Sequence, residues 1–345
     1  MKFDKETAFR LGFPLSPLYA GLMRVRALAY RRGWLGSERL PVPVISVGNL
    51  TMGGTGKTPL VMAVARILLA AGRRPAVVSR GYGGTARGPV NLVGDGRNLL
   101  MDASRAGDEP RLLAESLPGV VMATGVKRSL VARTVIEDFG VDAIILDDGF
   151  QHLGVRRDLD LVLFKGPEFL GNGRVFPGGD LREPFSALAR AQVFVLTGNA
   201  GKATEREEEF RGWLKEKFPG RPIFSAVYQA GALQPGNDMA PEPLATGAGL
   251  LAFCGLARPE SFRRLLLEKG YNLTGFHAYP DHHPYKGSDM KDLGRELEKS
   301  GASALVTTAK DLVKLRSLDC PWPLYVLPLE LKVPESFAEL IRTRL

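Results

Sequence analysis

"VISVGNLTMGGTGKTPLVMAV" (residues 44–64) opens as an apolar strand, turns through glycines and closes as a helix. Gly56-Lys57-Thr58 within it is the tail of a phosphate-binding loop. Such a loop needs backbone N–H groups converging at a helix N-terminus, and glycine permits the tight approach. Gly53, Gly54, Thr55 and Gly56 form that turn; Lys57 can reach the β- and γ-phosphates and Thr58 can offer its hydroxyl to Mg²⁺. Pro59 suits a first helical turn, where its missing N–H costs nothing. The general pattern asks for glycine at position 51, and this chain has Thr51. The expectation is a variant loop in which Gly53 and Gly54 do the work of that glycine.

Around the loop, strand-like and helix-like runs alternate: strands at 74–79, 119–123, 142–146, 159–164 and 192–196, helices at 60–71, 111–116 and 129–139. Short apolar strands between helices predict an α/β fold, a P-loop NTPase-type parallel sheet covered on both faces. Thr204 and Glu207 are spaced as a capping box for a charged helix. The Gly/Pro/Ala-rich stretch 228–249 reads as a connector, beyond which alternation resumes at 250–254, 260–269, 304–307 and 324–327. Three units follow: an N-terminal basic helical segment (1–40), a nucleotide-binding domain (41–225) and a second, smaller α/β domain (226–345).

The 345 residues carry a net charge of +9, with 45% hydrophobic and 24% charged residues, the balance of a soluble globular chain with an acidic partner. Two cysteines, without C-x-x-C spacing, exclude a disulfide framework. The first 34 residues hold seven basic residues against two acidic ones, and Leu15, Leu18, Tyr19, Leu22 and Val25 recur at helical spacing. That pattern suits either a helix lying in an anionic lipid interface or one packed on the neighbouring domain. The run 11–23 is too short to span a bilayer and contains two prolines.

"DAIILDDGFQH" (residues 142–152) sets Asp147 and Asp148 at the tip of an apolar strand, where such enzymes hold Mg²⁺ directly or through water. Candidates to activate a nucleophile are Asp108 of "GDEP" and the histidines of "HAYPDHHPY" (residues 277–285). A guanine-specific [NT]-K-x-D is missing, because "TAKD" (residues 308–311) sets its lysine one place late, so ATP is favoured over GTP.

"GGTGKT" resembles the loop of ATPases related to the Min and Par proteins, although Met52 stands where those carry lysine. Taken in order, "GGTGKTP", "SRGYGG", "GDEP", "DDGFQH", "GGDLREP", "FCGLARPESF", "YPDHHPY" and "TTAKD" resemble one family, the tetraacyldisaccharide 4′-kinases of Gram-negative bacteria. The resemblance implies ATP- and Mg²⁺-dependent phosphorylation of the 4′-hydroxyl of an acylated disaccharide 1-phosphate lipid in lipid A biosynthesis. It also implies two α/β domains with the site between them, and peripheral attachment to the anionic cytoplasmic face of the inner membrane. No nucleic acid or obligate protein partner is implied.

Residue by residue, the resemblance makes Asp108 the base, assisted by a histidine of "PDHH", His282 or His283 with His282 preferred. Asp147, Asp148 and Glu183 would serve Mg²⁺ and Arg128 the transferring phosphate; Tyr82, Gln151 and His152 would lie on the substrate side. The chain departs from the family at Ala309, where "TEKD" is usual. The alternative reading is a membrane-recruited nucleotide-dependent switch ATPase, which relatives of this loop type include.

Overall fold

The computed structural model describes residues 5–53, 56–198, 204–241 and 243–344; Gly54 and Thr55 of the loop lie outside them. Two helices lead, α1 (Lys5–Gly12) and α2 (Ser16–Arg31), separated by a 3₁₀ turn at Phe13–Leu15 that contains Pro14. Then follow β1 (Val44–Gly48), α3 (Lys57–Ala70), β2 (Pro75–Ser79), β3 (Asn91–Asp95), α4 (Ala103–Ala106) and α5 (Asp108–Ser116). Next come β4 (Val121–Thr124), α6 (Arg128–Phe139), β5 (Ala143–Asp147), β6 (Leu159–Lys165), β7 (Val193–Gly198), α7 (Glu205–Lys217) and β8 (Ile223–Ala230).

The remaining elements are β9 (Gln234–Pro235), β10 (Gly249–Cys254), α8 (Pro259–Glu268), β11 (Asn272–Ala278), α9 (Gly287–Ser300) and β12 (Ala304–Thr308). The chain closes with α10 (Ala309–Leu315), β13 (Leu324–Leu327), β14 (Leu329–Lys332) and α11 (Glu335–Thr343).

The larger sheet has the order β14-β8-β7-β6-β1-β5-β2-β4-β3, parallel from β8 to β4 with an antiparallel strand at each edge. Its inner strands are near-continuous Val/Ile/Leu runs because helices cover both faces. One face buries Leu60, Val61, Val64 and Leu68 of α3; the other buries Val131, Ala132 and Val135 of α6. The smaller sheet, β11-β10-β12-β13-β9, packs α9 and α10 on one side and α8 on the other.

The second domain expected over 226–345 is corrected at both ends. Strand β8 runs through residue 226 and belongs to the larger sheet. After the smaller sheet is complete, the chain returns: β14 pairs antiparallel with β8, and Phe337 and Ile341 of α11 bury beside α3. Leu331 and those two residues are buried in the same core as α3, so the returning segment covers the larger sheet's open edge. The stretch 228–249 is likewise partly structured, holding the end of β8 and all of β9.

Helix α2 docks by one face only. Ser16 Oγ donates to the Val175 carbonyl (2.8 Å) and accepts from the Gly178 N–H (2.8 Å), while Tyr19 meets Phe176 edge-on. Leu11, Leu15, Leu18, Leu22 and Val25 point away from the protein; Leu18 is 75% exposed. Their spacing of three and four residues makes one stripe down both helices. Among the described residues no helix is long and apolar enough to cross a membrane.

Candidate active site

Parallel pairing decides what meets at the sheet's carboxyl edge. β1 lies between β5 and β6 with Val47 level with Asp147, so the loop leaving β1 begins beside that carboxylate. Ser79, at the end of β2, donates to Asp147 Oδ2 (3.1 Å).

Thr51 explains the missing glycine. It bridges Leu181 in extended pairing, with Met52 N–H donating to the Asp180 carbonyl (2.7 Å) and Arg182 N–H to the Leu50 carbonyl (2.8 Å). A residue in that conformation needs no positive φ, and the demand falls instead on Gly53 (φ 99°) and Gly56 (φ 83°). A side chain on Gly56 would strike the Tyr228 hydroxyl, only 1.6 Å from where its Cβ would sit. Tyr228 thus closes over the loop, its phenol desolvated and pushed up to about 12.

Lys57 Nζ donates to Asn49 Oδ1 (3.2 Å) and lies 3.4 Å from Asp148 Oδ1. Asn49 is fully buried and is the loop's internal brace. It donates to the Thr51 carbonyl (2.6 Å) and hydroxyl (3.2 Å), and its carbonyl accepts Gln151 Nε2 (2.9 Å). Sequence reasoning missed it; an asparagine between strand and glycine turn was the available signal. Thr58 is buried at the start of α3.

The two adjacent aspartates differ in environment. Asp147 is buried with Oδ1 unpartnered, and burial, with Glu109 and Asp148 nearby, pushes its carboxyl up to about 6. Burial alone would raise Asp148 too, but Lys57 and Arg182 outweigh it and hold that carboxyl below the usual range. Arg182 grips both its oxygens (3.0 and 2.7 Å), and Arg128, buried at the start of α6, donates to its backbone carbonyl (2.9 Å). Asp148 sits at φ 51°, a conformation side chains rarely adopt.

The expected Mg²⁺ set is not assembled as one cluster. Glu183 is buried against Arg190, with Arg26 of α2 at 3.8 Å, and among the described residues no group of three or more acidic or histidine side chains is placed to hold a metal. On the substrate side, Gln151 is tied to Asn49 and its carbonyl accepts Arg26 (3.0 Å). His152 is pulled down to about 4 by burial and by Arg128, Arg157, Arg26 and Arg80. Tyr82 is 84% exposed at the rim, and its carbonyl packs where a side chain on Gly107 would go (2.5 Å).

The second domain contributes across the gap. Asp108 opens α5, where the helix N-terminus favours its charge. Its Oδ2 lies 3.1 Å from His282 Nδ1. Lys310 Nζ lies 3.1 Å from Nε2 of the same ring. An ammonium can only donate, so Nε2 is the acceptor and Nδ1 carries the proton given to Asp108. His282 is held at φ 57°, its N–H donating to the Gly255 carbonyl (3.3 Å). His283 turns the other way, bonded to Asp289 Oδ2 (3.1 Å) and stacked on Tyr279. The histidine facing Asp108 is therefore His282.

Cys254 is buried, its thiol pushed up to about 12 by burial, so it is inert packing.

Comparisons with known proteins place the chain in one family. The sequence profile of the tetraacyldisaccharide-1-P 4′-kinases (LpxK) matches residues 8–345. A tetraacyldisaccharide 4′-kinase of Desulfotalea psychrophila is 46% identical over 339 residues, covering 98% of this chain and 97% of that protein. One from Syntrophus aciditrophicus is 42% identical over 324 residues, covering 90% and 86%. Among solved structures, LpxK from Aquifex aeolicus, crystallised in complex with ATP, superposes with a TM-score of 0.76 at 31% identity, covering 96% of this chain and 98% of that one.

Proposed function

The chain belongs to the tetraacyldisaccharide 4′-kinase family, and we propose that it transfers the γ-phosphoryl group of ATP to the 4′-hydroxyl of a tetraacylated disaccharide 1-phosphate. The carrying observation is the Asp108–His282 pair, joined at 3.1 Å across two domains, with the helix that bears Asp108 starting beside the carboxyl edge that carries Lys57 and Asp147. Glu109, next to Asp108, is close enough to act on Asp147 electrostatically, as is Lys57.

In this reading the loop N–H groups and Lys57 hold the β- and γ-phosphates, and Arg128 faces the transferring group. Asp108 takes the hydroxyl proton on Oδ1, because Oδ2 is engaged by His282. The sugar oxygen attacks the γ-phosphorus and ADP departs. Tyr82, Gln151 and His152 border the acceptor's entry.

Mg²⁺ would be held by Thr58 and Asp147. The unpartnered, buried Asp147 Oδ1 suits a cation that keeps waters and phosphate oxygens as its other ligands. Asp148 and Glu183 are already matched by Lys57 and arginines, so they set the charge balance around that ion. When bound, it would neutralise charge developing on the phosphates. Because Asp147 is ionised above about 6 and protonated below, proton and cation compete for it. The Mg²⁺ concentration for half-maximal turnover is expected to rise about tenfold near pH 5 relative to pH 7.5. Asp147→Asn should remove that slope; an unchanged slope in the variant places the titration elsewhere.

The N-terminal helices fit a peripheral seat on the cytoplasmic face of the bacterial inner membrane. Each exposed leucine of the stripe gains about 1–2 kcal/mol on burial in lipid, and neighbouring arginines add about 1 kcal/mol each on an anionic surface. Leu18→Glu with Leu22→Glu is expected to weaken sedimentation with anionic vesicles roughly 30-fold or more while ATP binding persists. Undiminished sedimentation removes the helix from this role.

The whole reading is tested by incubating the purified chain with Mg-ATP and the tetraacyldisaccharide 1-phosphate in detergent micelles. Mass spectrometry should find a product heavier by one phosphate. ATP hydrolysed with no such product rejects it.

A further inference from the structure

The ammonium of Lys314, on α10, is nearly buried (7% exposed) and has three N–H groups to place. It donates to the His283 carbonyl (3.1 Å) and forms an ion pair with Asp311 Oδ1 (2.8 Å), both within the smaller domain. The face of Tyr285 covers it at 5.0 Å. From the larger domain, Asp108 Oδ2 lies 3.8 Å from the same ammonium, and it is the oxygen that meets His282.

Its partner Asp311 is fully buried and heavily engaged. Its Oδ2 accepts Gly255 N–H (3.0 Å) and the Thr308 hydroxyl (2.7 Å), while its Oδ1 is ion-paired with Lys314. The Gly255 carbonyl in turn receives the N–H of His282. One buried ion pair therefore holds both the backbone of His282 and a cation aimed at the carboxylate that His282 touches.

We infer that Lys314 is a positioning residue: anchored by Asp311, it draws Asp108 Oδ2 toward the smaller domain and so sets the aim of the remaining oxygen, Oδ1, at the acceptor hydroxyl. The inference rests on Asp108 being the base. Lys310 is a weaker candidate for this task. It is more exposed, and Glu109 and Asp281 share it at 4.0 and 3.9 Å.

The test is a double-mutant cycle in the full chain, read as kcat and KM for ATP. Lys314→Met is expected to lower kcat about 10²-fold with KM for ATP within about threefold, the cost of misaiming a reacting group. Lys314→Arg keeps the charge and should recover most of that loss. On an Asp108→Ala background, Lys314→Met should cost almost nothing further, because its target is gone.

Lys314→Met also strands a buried carboxylate and can impair folding. The pair Lys314→Met/Asp311→Asn removes that charge; it is expected to fold and still lose kcat. Full activity in that pair means Lys314 only neutralises Asp311, which overturns the inference. A Lys314→Met loss that multiplies at full strength onto Asp108→Ala overturns it too, leaving the base intact. If Asp108→Ala alone is near wild type, the base assignment itself falls.

Discussion

Lys57→Ala is expected to lower phosphoryl transfer by at least about 10³-fold, the scale of removing a cation from a transferring phosphate. Lys57 sits between Asn49 and Asp148, poised at the mouth of the loop. Removing it leaves the fold little disturbed, because Asn49 keeps its bonds to Thr51 and Asp148 keeps both contacts to Arg182. Thermal unfolding should therefore shift by only a few degrees, separating chemistry from stability. Mass-spectrometric turnover within about tenfold of wild type would sink the loop assignment.

Asp108→Ala is expected to lower kcat by about 10²–10⁴-fold while ATP binding stays near wild type. The reason is positional: the proposed reading sets Asp108 on the acceptor side, and its contacts run to His282 and Lys314 of the smaller domain. If Asp108 is the proposed base, substitution removes a proton acceptor from a site whose nucleotide half remains intact. Loss of ATP affinity in step with kcat, measured by titration against a slowly hydrolysed analogue, would instead make Asp108 a structural or nucleotide-holding residue. His282→Ala provides a graded companion, since it leaves the carboxylate but frees Oδ2.

Legibility in the sequence followed how local each feature is. The P-loop, its flanking strand and helix, Asp147 at a strand tip and Asp108 at a helix start are short-range patterns, readable from spacing and residue type. Edge strands were not readable in the same way. β3 and β14 are short, mixed in character and defined by their partners, and nothing in "LELK" announces that the chain has left one sheet for another. Helix α9, by contrast, has a clear apolar periodicity through Met290, Leu293 and Leu297 and was open to detection.

Within the site, the arginines were the largest omission. Arg26 and Arg182 look like ordinary surface cations in the linear chain. In the folded protein Arg26 ties helix α2 to Gln151 and Glu183, and Arg182 neutralises Asp148. That engagement is also why the expected acidic Mg²⁺ set separates: the buried Oδ1 of Asp147 and Oε1 of Glu183 both accept no hydrogen bond, but Glu183 is ion-paired with Arg190 and Arg26 whereas Asp147 has only Ser79 on its other oxygen.

By itself the sequence determined a parallel α/β sheet with a phosphate loop, a second domain carrying a histidine pair, and an apolar, arginine-flanked N-terminus. Those properties are written in residue spacing of two to seven positions, which backbone geometry converts directly into strands, turns and helix faces. Tertiary structure alone decided which histidine faces Asp108, which carboxylates are already matched by cations, and where Lys314 aims. These are distances between residues as far as 206 positions apart, set by how two sheets dock. Charge and hydrogen bonding act over a few ångströms, so their pairings exist only once packing has brought the partners together.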